Sequence, residues 1–315
     1  MVTRVFGPVP SRRLGRSLGI NNIPPKHCSY SCIYCQLGRT TNLTIKRRKF
    51  YDPSLLVREV TEAVNKVGLN NIDYISFVPD GEPTLDVNLG RIIEGIKEKI
   101  PLPVAILTNG SLLFMEDAVK DACNADLVSL KVDTVSEKTF RAVNRPHPSL
   151  NVERVLEGMR SFAKTFSGKI ITETMLVSGV NDNPEELEKI AQFIKALDPF
   201  KAYIAIPLRP PAETWVKPPS EVKLVEAYQV FSRFLSERVE MLTGFEGPRF
   251  GTGSSDPIEG LLAIVSVHPM RLDYAHRFLS EFGLDPDRVI ERLISENKVV
   301  KVSYRGHEFI FRKLQ

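Results

Sequence analysis

The sequence has no long apolar run, and this absence argues against a membrane protein. No stretch of its 315 residues approaches the roughly 20 consecutive apolar residues that a membrane-spanning helix requires. Its first residues also have no apolar core of the kind found in secretory signal peptides. We therefore expect a cytoplasmic protein without a membrane anchor. Hydrophobic residues make up 43% of the chain and charged residues 25%, so a sizeable core can form.

Cysteine is scarce, and its placement argues against a disulfide framework. The chain has four cysteines, and three of them, Cys28, Cys32 and Cys35, fall within a short segment. A disulfide between such near neighbours is strained, whereas clustered thiols in a reducing compartment more often bind metal. The fourth, Cys123, stands alone, and we interpret it as a small core residue.

Acidic residues are missing from the first fifty positions, which contain ten Lys and Arg residues. Because the whole chain has a formal net charge of +4, the remainder is net negative. This asymmetry predicts a localised basic surface that could bind tRNA or another polyanion. Alternatively, these charges serve a cofactor or lie on a solvated face.

Apolar segments of strand type alternate with amphipathic helices along most of the chain. Two helices have a clear start, at Asp52-Pro53 and Asn183-Pro184, where a capping residue precedes proline. This rhythm predicts an α/β fold with parallel strands in a partial (βα)6 barrel, whose chemistry lies at the carboxyl ends of the strands. The predicted strands are residues 17–21, 72–78, 104–107, 127–132, 170–177 and 201–206.

The rhythm changes near the carboxyl terminus. Three short helices followed by a β-hairpin predict a small winged-helix-like α+β module, with helices at residues 257–267, 272–282 and 286–297 and hairpin strands at 298–304 and 307–312. The predicted domains are a core with a basic N-terminal extension (1–243), a linker (244–255) and this module (256–315). The module has equal numbers of acidic and basic side chains, which is unfavourable for binding nucleic acid.

The three clustered cysteines have the spacing Cys-x3-Cys-x2-Cys. Three thiolates leave one iron of a [4Fe-4S] cluster without a protein ligand, and that iron can accept a small molecule. A closed structural zinc site needs four ligands, and His27 could supply the fourth. Zinc is therefore the alternative interpretation of this motif.

This spacing, with Tyr34 just before the last cysteine and a strand–helix pattern after it, resembles the signature of the radical S-adenosylmethionine (SAM) superfamily. The resemblance implies a [4Fe-4S] cluster on Cys28, Cys32 and Cys35, with SAM bound to the open iron. It also implies an oxidoreductase that reductively cleaves SAM to methionine and a 5′-deoxyadenosyl radical, which abstracts hydrogen from a substrate. An electron donor such as ferredoxin or flavodoxin is expected as a partner.

The resemblance also implies a set of SAM-binding residues at the ends of the predicted strands. Asp80-Gly81-Glu82 resembles a Gly-Gly-Glu turn that reaches the SAM amino group. Lys131 and Asp133 share a face by strand alternation, and a structural salt bridge between them is the alternative. The complete predicted set is Tyr34, Gly81, Glu82, Asn109, Lys131, Asp133, Glu173 and Ile206.

Three segments, residues 7–15, 35–40 and 80–85, resemble the wybutosine-synthase-like (4-demethylwyosine synthase-related) Fe–S oxidoreductases, which modify tRNA. Those enzymes carry a second cysteine set, whereas only Cys123 remains here. We therefore consider tRNA modification, chemistry on a peptide, protein or small metabolite, and a non-catalytic iron–sulfur or zinc regulatory protein that binds DNA. Candidate substrate contacts are Arg12, Arg13, Arg145, His147, Arg209 and Glu213.

Overall fold

The computed structural model describes residues 4–313 and contains thirteen strands and ten α-helices in that part of the chain. The strands are β1 (Val5–Ser11), β2 (Gly15–Ile20), β3 (His27–Cys28), β4 (Asn42–Leu43), β5 (Tyr74–Phe77), β6 (Val104–Thr108), β7 (Leu127–Lys131), β8 (Lys169–Met175), β9 (Lys201–Ala205), β10 (Val239–Leu242), β11 (Met270–Arg271), β12 (Val299–Tyr304) and β13 (His307–Arg312). The helices are α1 (Pro53–Val67), α2 (Leu89–Lys97), α3 (Glu116–Ala122), α4 (Glu137–Val143), α5 (Val152–Thr165), α6 (Pro184–Ala196), α7 (Glu221–Leu235), α8 (Pro257–Val267), α9 (Leu272–Glu281) and α10 (Pro286–Ser295).

Eight strands form one curled sheet in the order β1-β2-β5-β6-β7-β8-β9-β10. β1 runs antiparallel to β2, and every other neighbouring pair is parallel. The α/β class and the partial barrel are confirmed. From β4 to β10, one α-helix lies between each pair of successive strands, except that both α4 and α5 lie between β7 and β8. Parallel strands need such crossover connections.

The predicted helix starts are formed by the expected caps. The Asp52 carboxylate accepts hydrogen bonds from the backbone N–H groups of Ser54 and Leu55, at 2.8 and 3.2 Å. The Asn183 side chain accepts one from the N–H of Glu186 at 3.0 Å. Each cap satisfies amide groups that the first helical turn leaves without a partner.

The turn between β1 and β2 folds into the interior of the half-barrel. Leu14 packs there among inward-facing residues of β6 to β10, including Leu127, Ile171 and Tyr203. Gly15 permits this turn because its φ is +68° and an added Cβ would lie 2.5 Å from the Asp73 carboxylate. The turn therefore closes the amino-terminal end of the barrel and places the residues beside Leu14 inside it.

The carboxyl-terminal helices α8 to α10 and the antiparallel sheet β11-β13-β12 form a second layer against β1. Phe6 and Val9 of β1 belong to the same apolar cluster as the buried faces of α8, α9 and α10. The segment that we interpreted as a linker packs along β1, since the N–H groups of Gly251 and Gly253 donate to the carbonyls of Pro8 and Gly7. The division at residues 244–255 and the winged-helix likeness stay predictions.

Two strands of the large sheet were not predicted. β1 contains Pro8 and Pro10, and a strand can hold them because β1 is at the edge of the sheet, where it pairs with one strand only. β10 is four residues long and follows α7 after a short 3₁₀ turn. No helix within residues 4–313 is both long and apolar enough to span a bilayer.

Replacing Phe6 with alanine should destabilise both layers together. Its ring is 4% exposed and packs over Gly19, where an added Cβ would lie 2.1 Å from it. We expect Phe6→Ala to lower the free energy of unfolding by about 3–5 kcal/mol in a urea titration. Phe200→Ala, at a ring that is 57% exposed, should leave the transition unchanged. An unchanged Phe6→Ala titration would contradict the shared core.

Candidate active site

The three clustered cysteines border one cavity of about 370 Å³ in the half-barrel. They lie in the segment that follows β2, and backbone hydrogen bonds hold this segment together and fix it to the end of α4. The N–H of Thr44 donates to the carbonyl of Cys28 at 2.9 Å, and the N–H of Ile33 donates to Val143 at 3.0 Å. The cysteine loop therefore has a defined position over the sheet.

The cysteine segment supplies three thiol donors at the border of one cavity, a donor set that suits an iron–sulfur cluster with one open iron. Within residues 4–313, no three His, Cys, Asp or Glu side chains converge on one point that could hold a metal ion. A cubane cluster does not require such convergence, because each thiolate binds a different iron. His27 is also engaged elsewhere: its Nδ1 lies 3.1 Å from the carbonyl of Pro25, and its Nε2 lies 2.8 Å from the Asn42 amide.

Amide groups surround the sulfur atoms. The Asn109 amide donates to Cys28 Sγ at 3.7 Å, and the Asn144 amide donates to Cys32 Sγ at 3.6 Å. Burial raises the pKa of all three thiols, that of Cys32 to about 12. Bound iron would supply the positive charge that buried thiolates need, and donors to sulfur help set the potential of such a cluster.

The Asp80-Gly81-Glu82 turn lies directly against the cysteine loop. Gly81 has φ +152°, and a Cβ there would lie 1.8 Å from the carbonyl oxygen of His27, so only glycine fits. Glu82 is buried and does not border the cavity. Its carboxylate accepts hydrogen bonds from the Thr108 hydroxyl at 2.5 Å and from the Asn109 N–H at 2.8 Å, so it fixes the turn to the end of β6.

Asp133 is also held behind the cavity. Its carboxylate accepts hydrogen bonds from the Tyr34 hydroxyl, from the Asn144 amide at 2.8 Å and from the N–H of Met175 at 2.8 Å. The Lys131–Asp133 salt bridge that we considered is not formed, because β7 ends at Lys131 and strand alternation stops there. Asn144 was missed, since an isolated asparagine after a helix carries no sequence signal.

Lys131 pairs with Glu173 of β8, at 2.5 Å, and Glu173 is also paired with Arg13 of the β1–β2 turn. Burial would raise the pKa of Glu173, but Arg13 and Lys131 together lower it to about 2. Glu173 is therefore ionised at neutral pH and compensates two cations. Lys131 Nζ also lies 4.9 Å from the centre of the Tyr34 ring.

The carboxyl-terminal layer supplies part of the cavity wall. Arg209 is paired with Glu246, donates to the carbonyl of Pro269 at 2.9 Å and lies 2.8 Å from His268 Nε2. Burial, followed by the charge of Arg209, lowers the pKa of His268, so its imidazole is neutral at pH 7. Glu246 and His268 were missed because they lie in segments that we interpreted as a linker and a separate module.

The structure divides the predicted site residues into two groups. Tyr34, Gly81, Lys131, Glu173 and Ile206 border the cavity, whereas Glu82, Asn109 and Asp133 do not.

The candidate substrate contacts divide in the same way. Arg12, Arg13 and Arg209 border the cavity. Arg145 and Glu213 instead form an ion-pair group with Arg39 away from it. His147 lies in a loop, where its N–H donates to the carbonyl of Ser29 at 2.8 Å. Cys123 follows α3 and is only partly buried, and it packs against the main core rather than lying inside it.

The family profile of the radical SAM superfamily matches residues 22–194. The chain belongs to the radical SAM superfamily. It is therefore a radical SAM enzyme, and enzymes of this superfamily use a [4Fe-4S] cluster and SAM. The cysteine loop lies within the matched segment, whereas the cavity beside it is lined by residues from inside and outside that segment.

One relative is similar in sequence to this chain over its whole length. The UPF0026 protein MJ1312 of Methanocaldococcus jannaschii is 43% identical over 315 residues, which are 100% of this chain and 97% of the relative. The chain therefore also belongs to the UPF0026 family. The family name states no substrate.

Two solved structures show the same fold at low identity. SuiB of Streptococcus suis, bound to S-adenosylmethionine, matches 72% of this chain and 51% of its own, with 15% identity and a TM-score of 0.53. TYW1 with a lysine-pyruvate adduct matches 69% of this chain and 73% of its own, with 15% identity and a TM-score of 0.50. Both are evidence of fold and not of substrate.

Replacing Glu173 with glutamine should destabilise the protein in a pH-dependent manner. The pKa of Glu173 is lowered from its ordinary value of 4.5 to about 2, so its contribution is complete above pH 4.5 and is lost as the pH falls towards 2. We expect Glu173→Gln to cost about 3–5 kcal/mol at pH 7 because two cations lose their partner. Urea titrations should show this difference shrinking below pH 4.5.

The matched control is Glu185→Gln, at an exposed ion pair with Lys189 on α6. It should leave stability unchanged at every pH. A Glu173→Gln deficit that does not depend on pH would contradict the assignment of an ionised Glu173.

Proposed function

We propose that Cys28, Cys32 and Cys35 hold the [4Fe-4S] cluster of this enzyme and that SAM and the substrate bind in the adjoining cavity. When bound, the cluster would pass one electron from an external reductant to SAM, and reductive cleavage to methionine and a 5′-deoxyadenosyl radical is the chemistry that it would supply for hydrogen abstraction from the substrate. The single observation that carries the proposal is that three cysteines with this spacing border one cavity in a radical SAM chain.

The residues around the cavity have distinct roles in this proposal. Gly81, Lys131 and Tyr34 border the cavity. The backbone at Gly81 would receive the amino group of SAM, and the Lys131 ammonium and the Tyr34 ring would contact the rest of the molecule. Ile206, at the end of β9, provides an apolar surface for adenine. Glu82, Asn109 and Asp133 act as positioning residues, because their polar atoms hold the cysteine loop and the strand ends together.

The carboxyl-terminal layer helps to exclude water from the cavity. Val267 and His268 border it, and the Gln36 amide donates to the carbonyl of Val267 at 3.2 Å. The Tyr304 hydroxyl donates to the carbonyl of Pro207 at 3.0 Å, which fixes β12 to the loop after β9. A sheltered cavity protects a reactive radical from side reactions. Ferredoxin or flavodoxin stays a prediction for the electron donor.

The basic amino-terminal segment gives limited support to tRNA as the substrate. Six of its ten Lys and Arg residues form ion pairs with acidic residues beyond position 50, so more than half of these cations already have an acidic partner within the chain. The likeness to TYW1 concerns the fold. We therefore favour a small molecule over tRNA, and DNA binding by the charge-balanced carboxyl-terminal layer is the weakest alternative.

Replacing Cys32 with alanine should remove cluster and activity together. After anaerobic reconstitution with iron and sulfide, we expect the wild type to hold about four irons per chain and to form 5′-deoxyadenosine with dithionite and SAM. Cys32→Ala should lose both properties because the cluster loses a ligand. Iron analysis and chromatography of 5′-deoxyadenosine measure the two outcomes.

The chain offers a matched control in Cys123→Ala, since Cys123 lies outside the cavity. This variant should retain iron content and SAM cleavage. Full iron and SAM cleavage in Cys32→Ala would refute the cluster assignment.

A further inference from the structure

Arg12 is unusual among the cations that border the cavity, because it forms no ion pair with any described residue within 4–313. Lys26 pairs with Asp80 at 3.4 Å, Arg209 pairs with Glu246, and Arg13 and Lys131 share Glu173. Arg12 forms no ion pair or side-chain hydrogen bond with any residue in that range, and it is exposed and borders the cavity. Its guanidinium is therefore available to a ligand.

The cavity as a whole carries excess positive charge. Five Lys and Arg side chains border it, against the three carboxylates of Asp80, Glu173 and Glu246. A [4Fe-4S] cluster in its resting state on three thiolates has one negative charge. The net positive charge of SAM offsets it, so the bound cofactors leave the excess positive charge of the cavity uncompensated. Burial, Arg209 and Arg13 lower the pKa of Arg12 despite the opposing effect of Glu246. An anion beside Arg12 would relieve this repulsion.

The turn that carries Arg12 is rigidly held on both sides. Ser11 Oγ accepts a hydrogen bond from the N–H of Leu14 at 3.2 Å, and Leu14 is buried in the barrel interior. Arg13 is fixed by its ion pair with Glu173. Arginine presents a planar set of donors that binds a carboxylate or a phosphate through two parallel hydrogen bonds. A rigid turn lowers the entropic cost of forming them.

We propose that the substrate is a small molecule with a carboxylate or phosphate group and that Arg12 binds this group in the cavity. The inference rests on the proposed function for its claim that the ligand is the substrate. A small molecule suits the cavity because the carboxyl-terminal layer walls it with Val267 and His268. The anionic group would fix the orientation of the substrate relative to the cluster and SAM.

Modification by phenylglyoxal, read by peptide mass spectrometry, tests this inference on the reconstituted wild-type holoenzyme with SAM. Arg12 should react faster than the paired Arg13 and Arg209, because it lacks a partner and its pKa is lowered. Millimolar inorganic phosphate or succinate should slow its modification by about tenfold, as expected for charge-assisted hydrogen bonds. Sodium chloride of equal ionic strength should not slow the modification of Arg12. As a second control, the exposed Arg58 on α1 should react at the same rate in every sample.

The two probes distinguish the sources of the anion. Protection by phosphate alone supports a phosphorylated substrate, and protection by succinate alone supports a carboxylate. The inference is overturned if neither phosphate nor succinate slows the modification of Arg12 more than sodium chloride does. Protection by tRNA at far lower concentration than either anion would overturn the small-molecule part in favour of RNA.

Variants extend the test to binding itself. Arg12→Gln should weaken binding of the protecting anion, measured by calorimetry, by about tenfold or more, and Arg12→Lys should weaken it less because the charge remains. Arg58→Gln should bind as the wild type does. Unchanged affinity in Arg12→Gln would overturn the inference. If the wild-type holoenzyme binds the anion but forms no 5′-deoxyadenosine, the anion site stands and the proposed function fails.

Discussion

The ion group centred on the Glu173 carboxylate, whose side chain is 13% exposed, is the interaction on which the rest of the site depends. Glu173 compensates Arg13 from the β1–β2 turn and Lys131 from β7, and it lies on β8 itself. Taking such charges out of water is costly unless each is paired, so the group is stable only when all three elements are in place. Arg12, the residue before Arg13, owes its place in the cavity to this ion group and to the burial of Leu14.

Sequence patterns predicted the features that depend on neighbouring residues. The alternation of strands and helices and the caps at Asp52 and Asn183 are local, and the structure contains both. β1 was missed for an equally physical reason. Prolines are unfavourable inside a sheet because they lack the N–H group that would donate to a neighbouring strand. At the edge of a sheet there is no neighbouring strand on one side, so the missing N–H groups cost no hydrogen bond there.

Contacts between distant segments were not predictable in the same way. Lys131 stands two residues from Asp133 but pairs with Glu173, because β7 ends before alternation can bring the nearer charges together. Glu246 and His268 border the cavity only because the segment after β10 packs along β1 and carries the following helices with it. Nothing in the composition of that segment distinguishes it from a free linker.

The central claim is that one iron of the cluster on Cys28, Cys32 and Cys35 is open to SAM, and electron paramagnetic resonance of the reconstituted, reduced protein tests it most directly. Three thiolates leave that iron without a protein ligand. The account predicts the signal of a reduced [4Fe-4S] cluster, with a spectrum that changes when SAM is added. An identical spectrum with and without SAM, or a protein that binds zinc and no iron, would contradict it.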